Sequence, residues 1–301
     1  MTMKRRTIVI ASVVMLISIP ALFALREAIT FDVRNRSNGF MISAGRQREY
    51  LLHVPRSYDR TRPTPLVISL HGAGGWPVQQ MELSLWNRLA DEQGFIVVYP
   101  SGAVGIGPRV WGERDVRFIA DLIDKLEATY NIDRSRIYAN GLSNGGGMSF
   151  VLSCTMSDRI AAVGMVGAAL ILPWSWCTDH RPVPMIAFHG TADPMAPYKG
   201  GTSWVANGAF PALETWAAKW ARRNHCAPVP ARTSVAADVT RREYTNCADD
   251  ATVVLYTIEG GGHTWPGGTP LPEWFAGRTS RGVDATREMW AFFRAHPLKG
   301  K

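Results

Sequence analysis

Five residues, Gly141-Leu142-Ser143-Asn144-Gly145, set one hydroxyl between two glycines. When a strand precedes it and a helix follows, G-x-S-x-G is a nucleophile elbow. The serine there takes a strained backbone conformation in a very sharp turn, so the residues two before and two after it must lack side chains. The turn exposes the hydroxyl and aims a helix N-terminus at it. That positive end favours the negative charge that develops in acyl transfer. The flanks supply the context: "RIYANG" reads as a short strand and "NGGGMSFVLSC" as the start of a helix.

A serine hydroxyl is a weak nucleophile and needs a base oriented by a carboxylate. In elbow architectures the chain order is Ser, acid, His. The histidines after Ser143 are His180, His189, His225, His263 and His296. His263 lies in "GGGHTWPGG", a glycine-flanked loop after a strand that can come close to another loop; it is the expected base. His189 closes a strand beside Gly190 and reads as structural, while His180 and His225 sit near cysteines and His296 falls in the last helix. Asp193, in "GTADP" at the C-terminal end of strand "PMIAFHG", is the expected acid. "LHGAGG" follows an early strand and supplies the other half of an oxyanion hole. The expected donors are the main-chain N–H groups of Ala73 and Asn144.

These residues must be positioned by a scaffold, and the apolar pattern describes one. "PLVISLHG" (65–72), "FIVVYP" (95–100), "IAAVGMVGA" (160–168), "PMIAFHG" (184–190) and "TVVLYTIEG" (252–260) read as strands. Residues 81–95, 115–130, 211–224 and 285–296 read as helices, with Asp115 placed as an N-cap. Continuous apolar strands alternating with helices imply an α/β fold, a mostly parallel central sheet with helices on both faces. Ligand sites in such sheets lie beyond the C-terminal strand ends, where "HGAGG", "GLSNG" and "HGTADP" all fall.

Of the 301 residues, 46% are hydrophobic and 19% charged, ample apolar material for one large core. Lys4, Arg5 and Arg6 precede an apolar run from Thr7 to Leu25, which reads as a signal peptide or an uncleaved membrane anchor over residues 1–30. One catalytic domain is expected over 31–301, in a secreted, extracellular or periplasmic protein, or one anchored by that segment. The formal charge of +8 falls to +5 without residues 1–30. The basic residues are scattered without aromatic interleaving, which suits an anionic cell wall and not a nucleic acid. Four cysteines, Cys154, Cys177, Cys226 and Cys247, suggest two disulfides in an exported chain. Three pairings are open; pairing neighbours closes the shortest loops. The thiols lack zinc-site spacing, and no metal or organic cofactor is expected.

Together, "REYLLHVP", "PLVISLHGAGG", "GFIVVYPSG", "RIYANGLSNGGGMS", "HGTADPMAPYKGG" and "GGGHTWPGG" resemble the secreted polyhydroxybutyrate depolymerase and feruloyl esterase group, similar to carbohydrate esterase family 1. The resemblance covers residues 48–268 and implies an α/β-hydrolase fold. It places the triad on Ser143, Asp193 and His263 and the oxyanion donors at Ala73 and Asn144. It also makes Cys154–Cys177 and Cys226–Cys247 the expected disulfides. The chain runs five residues past the last predicted helix, so an appended polymer-binding module is not expected. Trp111, Trp265 and Trp274, with Phe275, are candidates to line an aromatic-accepting cleft. The implied activity is serine esterase chemistry on polyhydroxyalkanoate oligomers, on feruloyl or acetyl esters of plant polysaccharide, or on short-chain esters. The rivals are a serine peptidase or an inactive cell-envelope binding protein on the same fold.

Overall fold

The computed structural model describes residues 37–103, 109–168, 174, 177, 181–203 and 206–300. The leader expected over residues 1–30 lies outside them. Ten strands form one sheet among the described residues. A hairpin of β1 (Gly39–Ser43) and β2 (Arg46–His53) opens it. The central strands are β3 (Thr64–Leu70), β4 (Ile96–Pro100), β5 (Ile132–Leu142), β6 (Ala162–Val166), β7 (Met185–Gly190) and β12 (Val253–Ile258). A second hairpin, β10 (Ala231–Ala236) and β11 (Val239–Tyr244), closes the other edge. The order is β1-β2-β4-β3-β5-β6-β7-β12-β11-β10. The six central strands are parallel and the two hairpins antiparallel. A small ribbon of β8 (Gly201–Ser203) and β9 (Ala206–Phe210) stands apart from the sheet.

Successive side chains of a strand point to opposite faces, and β3 shows the result. Leu66, Ile68 and Leu70 join a core with α3 (Asp115–Thr129), α4 (Asn144–Thr155) and α5 (Leu213–Arg223). Val67 joins the opposite core with α1 (Pro77–Ser84), α2 (Trp86–Gln93) and α7 (Ala285–Ala295). Helix α7 forms because Asp284 caps it, accepting from the Arg287 N–H at 3.0 Å, and because Ala285, Met289, Trp290 and Phe293 share its buried face. Each such large apolar side chain contributes about 1.5–3 kcal/mol on burial.

Two local expectations are corrected. The single helix expected over 81–95 is two, broken at Leu85, which has φ 58° and ψ 22°. Partners from distant sequence take the carbonyls at the break: Leu83 accepts from the Thr269 N–H at 3.1 Å and Ser84 from the Thr286 hydroxyl at 2.5 Å. Asp115 does not cap α3; it is that helix's first residue. Its carboxylate accepts from Arg48 at 2.6 Å and from the Gly112 N–H at 3.0 Å, tying the helix start to the hairpin and the preceding loop.

Candidate active site

Ser143 stands where β5 turns into α4, with φ 55° and ψ −121°, a sparsely populated conformation. The crowding around it explains the glycines. A Cβ on Gly141 would lie 2.4 Å from the Gly145 carbonyl carbon, and one on Gly145 would lie 2.2 Å from the Leu70 oxygen. The turn therefore closes only with bare backbone at both positions. The Ser143 N–H donates to the Val166 carbonyl at 2.8 Å, fixing the turn to the end of β6. Ser143 is partly exposed between the buried Leu142 and Gly145.

Asp193 and His263 come from loops after β7 and β12. Parallel pairing puts those strand ends side by side, with Ile258 opposite Gly190. The loops then bond to each other: Thr191 N–H to Ile258 O at 2.9 Å, and Ala192 N–H to Gly261 O at 2.9 Å. They approach so closely that a Cβ on Gly190 would lie 2.0 Å from the Gly261 oxygen. The result is a buried hydrogen bond of 2.8 Å between His263 Nδ1 and Asp193 Oδ2. Asp193 Oδ1 accepts from the Met195 and Ala196 N–H groups, each at 2.8 Å. Burial acts to raise the Asp193 pKa. The His263 hydrogen bond, the charges of His263 and His189, and the Ala196 N–H outweigh it and hold the carboxyl below the ordinary range. An ionised Asp193 fixes the proton of neutral His263 on Nδ1 and leaves Nε2 as an acceptor. Gly167 carries this pair: a Cβ there would lie 3.0 Å from His263 Nδ1 and 3.4 Å from Asp193 Oδ2. Ser143 and the His–Asp pair thus rest on consecutive residues, Val166 and Gly167.

Ala73 is exposed at the tip of a turn closed by the Gly75 N–H donating to Gly72 O at 3.0 Å. That turn is beside Ser143, since a Cβ on Gly72 would lie 3.5 Å from Ser143 Cβ. Asn144, the other expected donor, is the first residue of α4. His71 anchors the turn from below. Its Nδ1–H donates to Gly72 O at 2.7 Å, and its Nε2 accepts from the Gly102 N–H at 2.9 Å. Burial lowers its pKa to about 4, so it is neutral at physiological pH.

The aromatics separate into two groups. Trp265 has no exposed surface, and its indole N–H donates to the Thr286 hydroxyl at 2.9 Å; it is a packing residue, not a cleft wall. Trp111 is also buried, donating to the His71 carbonyl at 2.8 Å. Trp274 is 88% exposed on the short helix α6 (Glu273–Ala276), edge-on to Phe275 with ring centroids 5.8 Å apart. That helix adjoins His263, whose N–H donates to Ala276 O at 2.6 Å. Sequence reasoning missed a second imidazole beside Asp193. His189 Nε2 lies 2.7 Å from Ala196 O and 3.3 Å from Asp193 Oδ2. The signal was its i,i+4 spacing to Asp193. Cys154 is bonded to Cys177 and Cys226 to Cys247.

The phospholipase/carboxylesterase family model matches residues 113–206. Feruloyl esterase B of Piromyces equi is 31% identical over 229 residues, which are 72% of this chain and 42% of that protein. The chain thus spans less than half of that esterase. The Aspergillus terreus protein called "Probable feruloyl esterase C" is 30% identical over 232 residues, 74% of this chain and 78% of the relative. The chain belongs to the feruloyl esterase family of the α/β-hydrolases. This is a family of carboxylic ester hydrolases. An acetyl xylan esterase from Aspergillus awamori shares the fold, at TM-score 0.58 and 16% identity over 81% of this chain and 93% of its own. In this feruloyl esterase family member, no group of His, Cys, Asp and Glu among the described residues is arranged to hold a metal. No helix among them is long and apolar enough to cross a membrane.

Proposed function

We propose that the protein is an exported serine esterase working through an acyl-enzyme on Ser143. One observation carries the reading: a buried His263–Asp193 pair at 2.8 Å, packed on Gly167, the residue after the Val166 contact that fixes an elbow serine to the end of β6. Ser143 Oγ attacks the ester carbonyl carbon while His263 Nε2 takes its proton. Asp193 orients the ring and stabilises its charged form. The N–H groups of Ala73 and Asn144 hold the oxyanion, each worth about 3 kcal/mol in the transition state. Collapse of the tetrahedral intermediate breaks the ester C–O bond, and His263 protonates the departing alkoxide. Water, deprotonated by His263, then releases the acid and restores Ser143.

The substrates we infer are aromatic acyl esters such as feruloyl groups on plant polysaccharide, with acetyl esters, hydroxyalkanoate oligomers and short-chain esters as alternatives at the same serine. The names of the relatives support the first, as does the exposed Trp274–Phe275 pair beside the base, which offers a stacking surface to a flat ring. The two disulfides fit an oxidising compartment, in keeping with export or anchoring through residues 1–30. The test is hydrolysis of methyl ferulate, acetylated xylan, hydroxybutyrate oligomers and p-nitrophenyl butyrate by the full-length protein and by Ser143→Ala. Hydrolysis by the parent alone, fastest on methyl ferulate, is expected. Equal rates from both proteins would overturn the assignment of Ser143. Faster turnover of hydroxybutyrate oligomers than of methyl ferulate would overturn the aromatic preference.

A further inference from the structure

Resting on the Ser143 reading, we infer that Trp111 and the Asn144 carboxamide are positioning residues that hold the two oxyanion donors in register. Asn144 carries one donor on its main chain, and its side chain is engaged by the backbone of Trp111. Its Oδ1 accepts from the Trp111 N–H at 2.6 Å, and its Nδ2 faces the Trp111 carbonyl at 3.4 Å. Trp111 then passes the constraint on. Its indole N–H donates to the His71 carbonyl at 2.8 Å, and the two rings pack 5.0 Å apart. His71 precedes the turn that presents Ala73, and its ring links that turn, through Gly72 O, to the loop after β4, through the Gly102 N–H. One more strut parallels this path: the Gly74 N–H donates to Arg109 O at 2.8 Å, two residues before Trp111.

The path runs from the first residue of α4 through the loop at 109–112 to the turn at 71–75. Those are the two segments whose N–H groups must point at one oxygen. Hydrogen-bond donors stabilise an oxyanion only when held at the position the charge will occupy, so the bracing of the donors matters as much as their presence. The middle of the path, His71 and Trp111, is buried, which makes the bonds there geometrically demanding, while Asn144 at one end is partly exposed and Ala73 at the other exposed. Trp111 therefore acts through His71 and touches no substrate. The aromatic that sequence analysis set aside for the cleft has a structural duty behind it.

The test uses the full-length protein, Trp111→Phe, Asn144→Ala and Ser143→Ala, with rates of the first three normalised to the sites titrated by the p-nitrophenol burst and that of Ser143→Ala taken per mole of protein. Normalisation keeps any unfolded fraction out of kcat. Trp111→Phe keeps the ring and removes the indole donor. Its kcat for p-nitrophenyl butyrate should fall about tenfold or more, short of the hundredfold or greater loss from deleting a donor outright. KM should stay within about threefold, because ground-state binding does not use the hole. The Ki of butylboronic acid, which places an anionic oxygen in the hole on adding to serine, should rise by a factor matching the loss in kcat. Asn144→Ala should behave likewise. Unchanged kcat and Ki in both variants would overturn the inference, as would a rise in KM alone, which would make Trp111 a substrate contact. Activity surviving in Ser143→Ala would instead overturn the serine esterase reading beneath it.

Discussion

Asp193→Asn isolates the contribution of one proton's position. In the wild type, Oδ2 faces His263 Nδ1 at 2.8 Å while Oδ1 accepts two backbone N–H groups at 2.8 Å each. Those two donors will keep the amide oxygen of Asn on their side, so its NH2 must face His263. The NH2 donates, which forces Nδ1 to be the acceptor and moves the ring proton to Nε2. A protonated Nε2 cannot take the proton of Ser143. The same exchange in serine-triad enzymes costs about ten-thousandfold in kcat, or about 5–6 kcal/mol of transition-state stabilisation. The Met195 and Ala196 bonds survive, so the fold should too. The assay is burst-normalised kcat on p-nitrophenyl butyrate at pH 8, with circular dichroism as the folding control. A loss below about tenfold, or one confined to KM, would refute the assignment of Asp193 as the orienting acid.

Three further outcomes are expected. Gly145→Ala should destabilise by about 3 kcal/mol and abolish turnover, since its methyl would meet the Leu70 and His71 oxygens at 2.2 and 2.6 Å; urea unfolding checks the first. His71, with its pKa lowered to about 4 by burial, favours the native state fully above its unfolded pKa near 6.5. That contribution, up to about 3 kcal/mol, is lost as pH falls from about 6.5 to about 4. The buried His189 shifts the same way, so urea midpoints should drop across this window, less steeply in His71→Asn. Replacing Cys226 and Cys247 by serine opens a loop with a sequence separation of 21 and should cost about 3 kcal/mol, read by urea unfolding without reductant.

What could be read in advance follows the range of the forces involved. The elbow is legible within five residues because Gly141 is crowded by Gly145 itself, although the oxygens that crowd Gly145, those of Leu70 and His71, come from the end of β3. The central strands declare themselves because both faces of the sheet are covered there, whereas the edge strands β1, β2, β10 and β11, half-exposed or exposed, were not read. Asp193 and His263 were legible as residue types at strand ends, although 70 residues separate them and the parallel pairing of β7 with β12 is what joins them. Trp111 and Trp265 were misread for the opposite reason. An indole's role is set by its hydrogen-bond partner, and His71 and Thr286 lie 40 and 21 residues away with nothing in the local pattern to mark them. The break at Leu85 was invisible for the same reason. Thr269 and Thr286 cause it, and helical periodicity does not register an acceptor being claimed from outside. The second imidazole on Asp193 lay in plain spacing, but the short strand end gave it an adequate packing role.

The backbone of Ser143 has a bearing on directed evolution. A residue at φ 55° and ψ −121° is held there by its surroundings against its own preference, at a cost of about 1–3 kcal/mol. Glycine would adopt that conformation with less strain. A library selected only for heat tolerance should therefore enrich Ser143→Gly, a protein that melts later and hydrolyses nothing. With Ser143 as the proposed nucleophile, screens for robust variants must couple survival to turnover, or they will select against it.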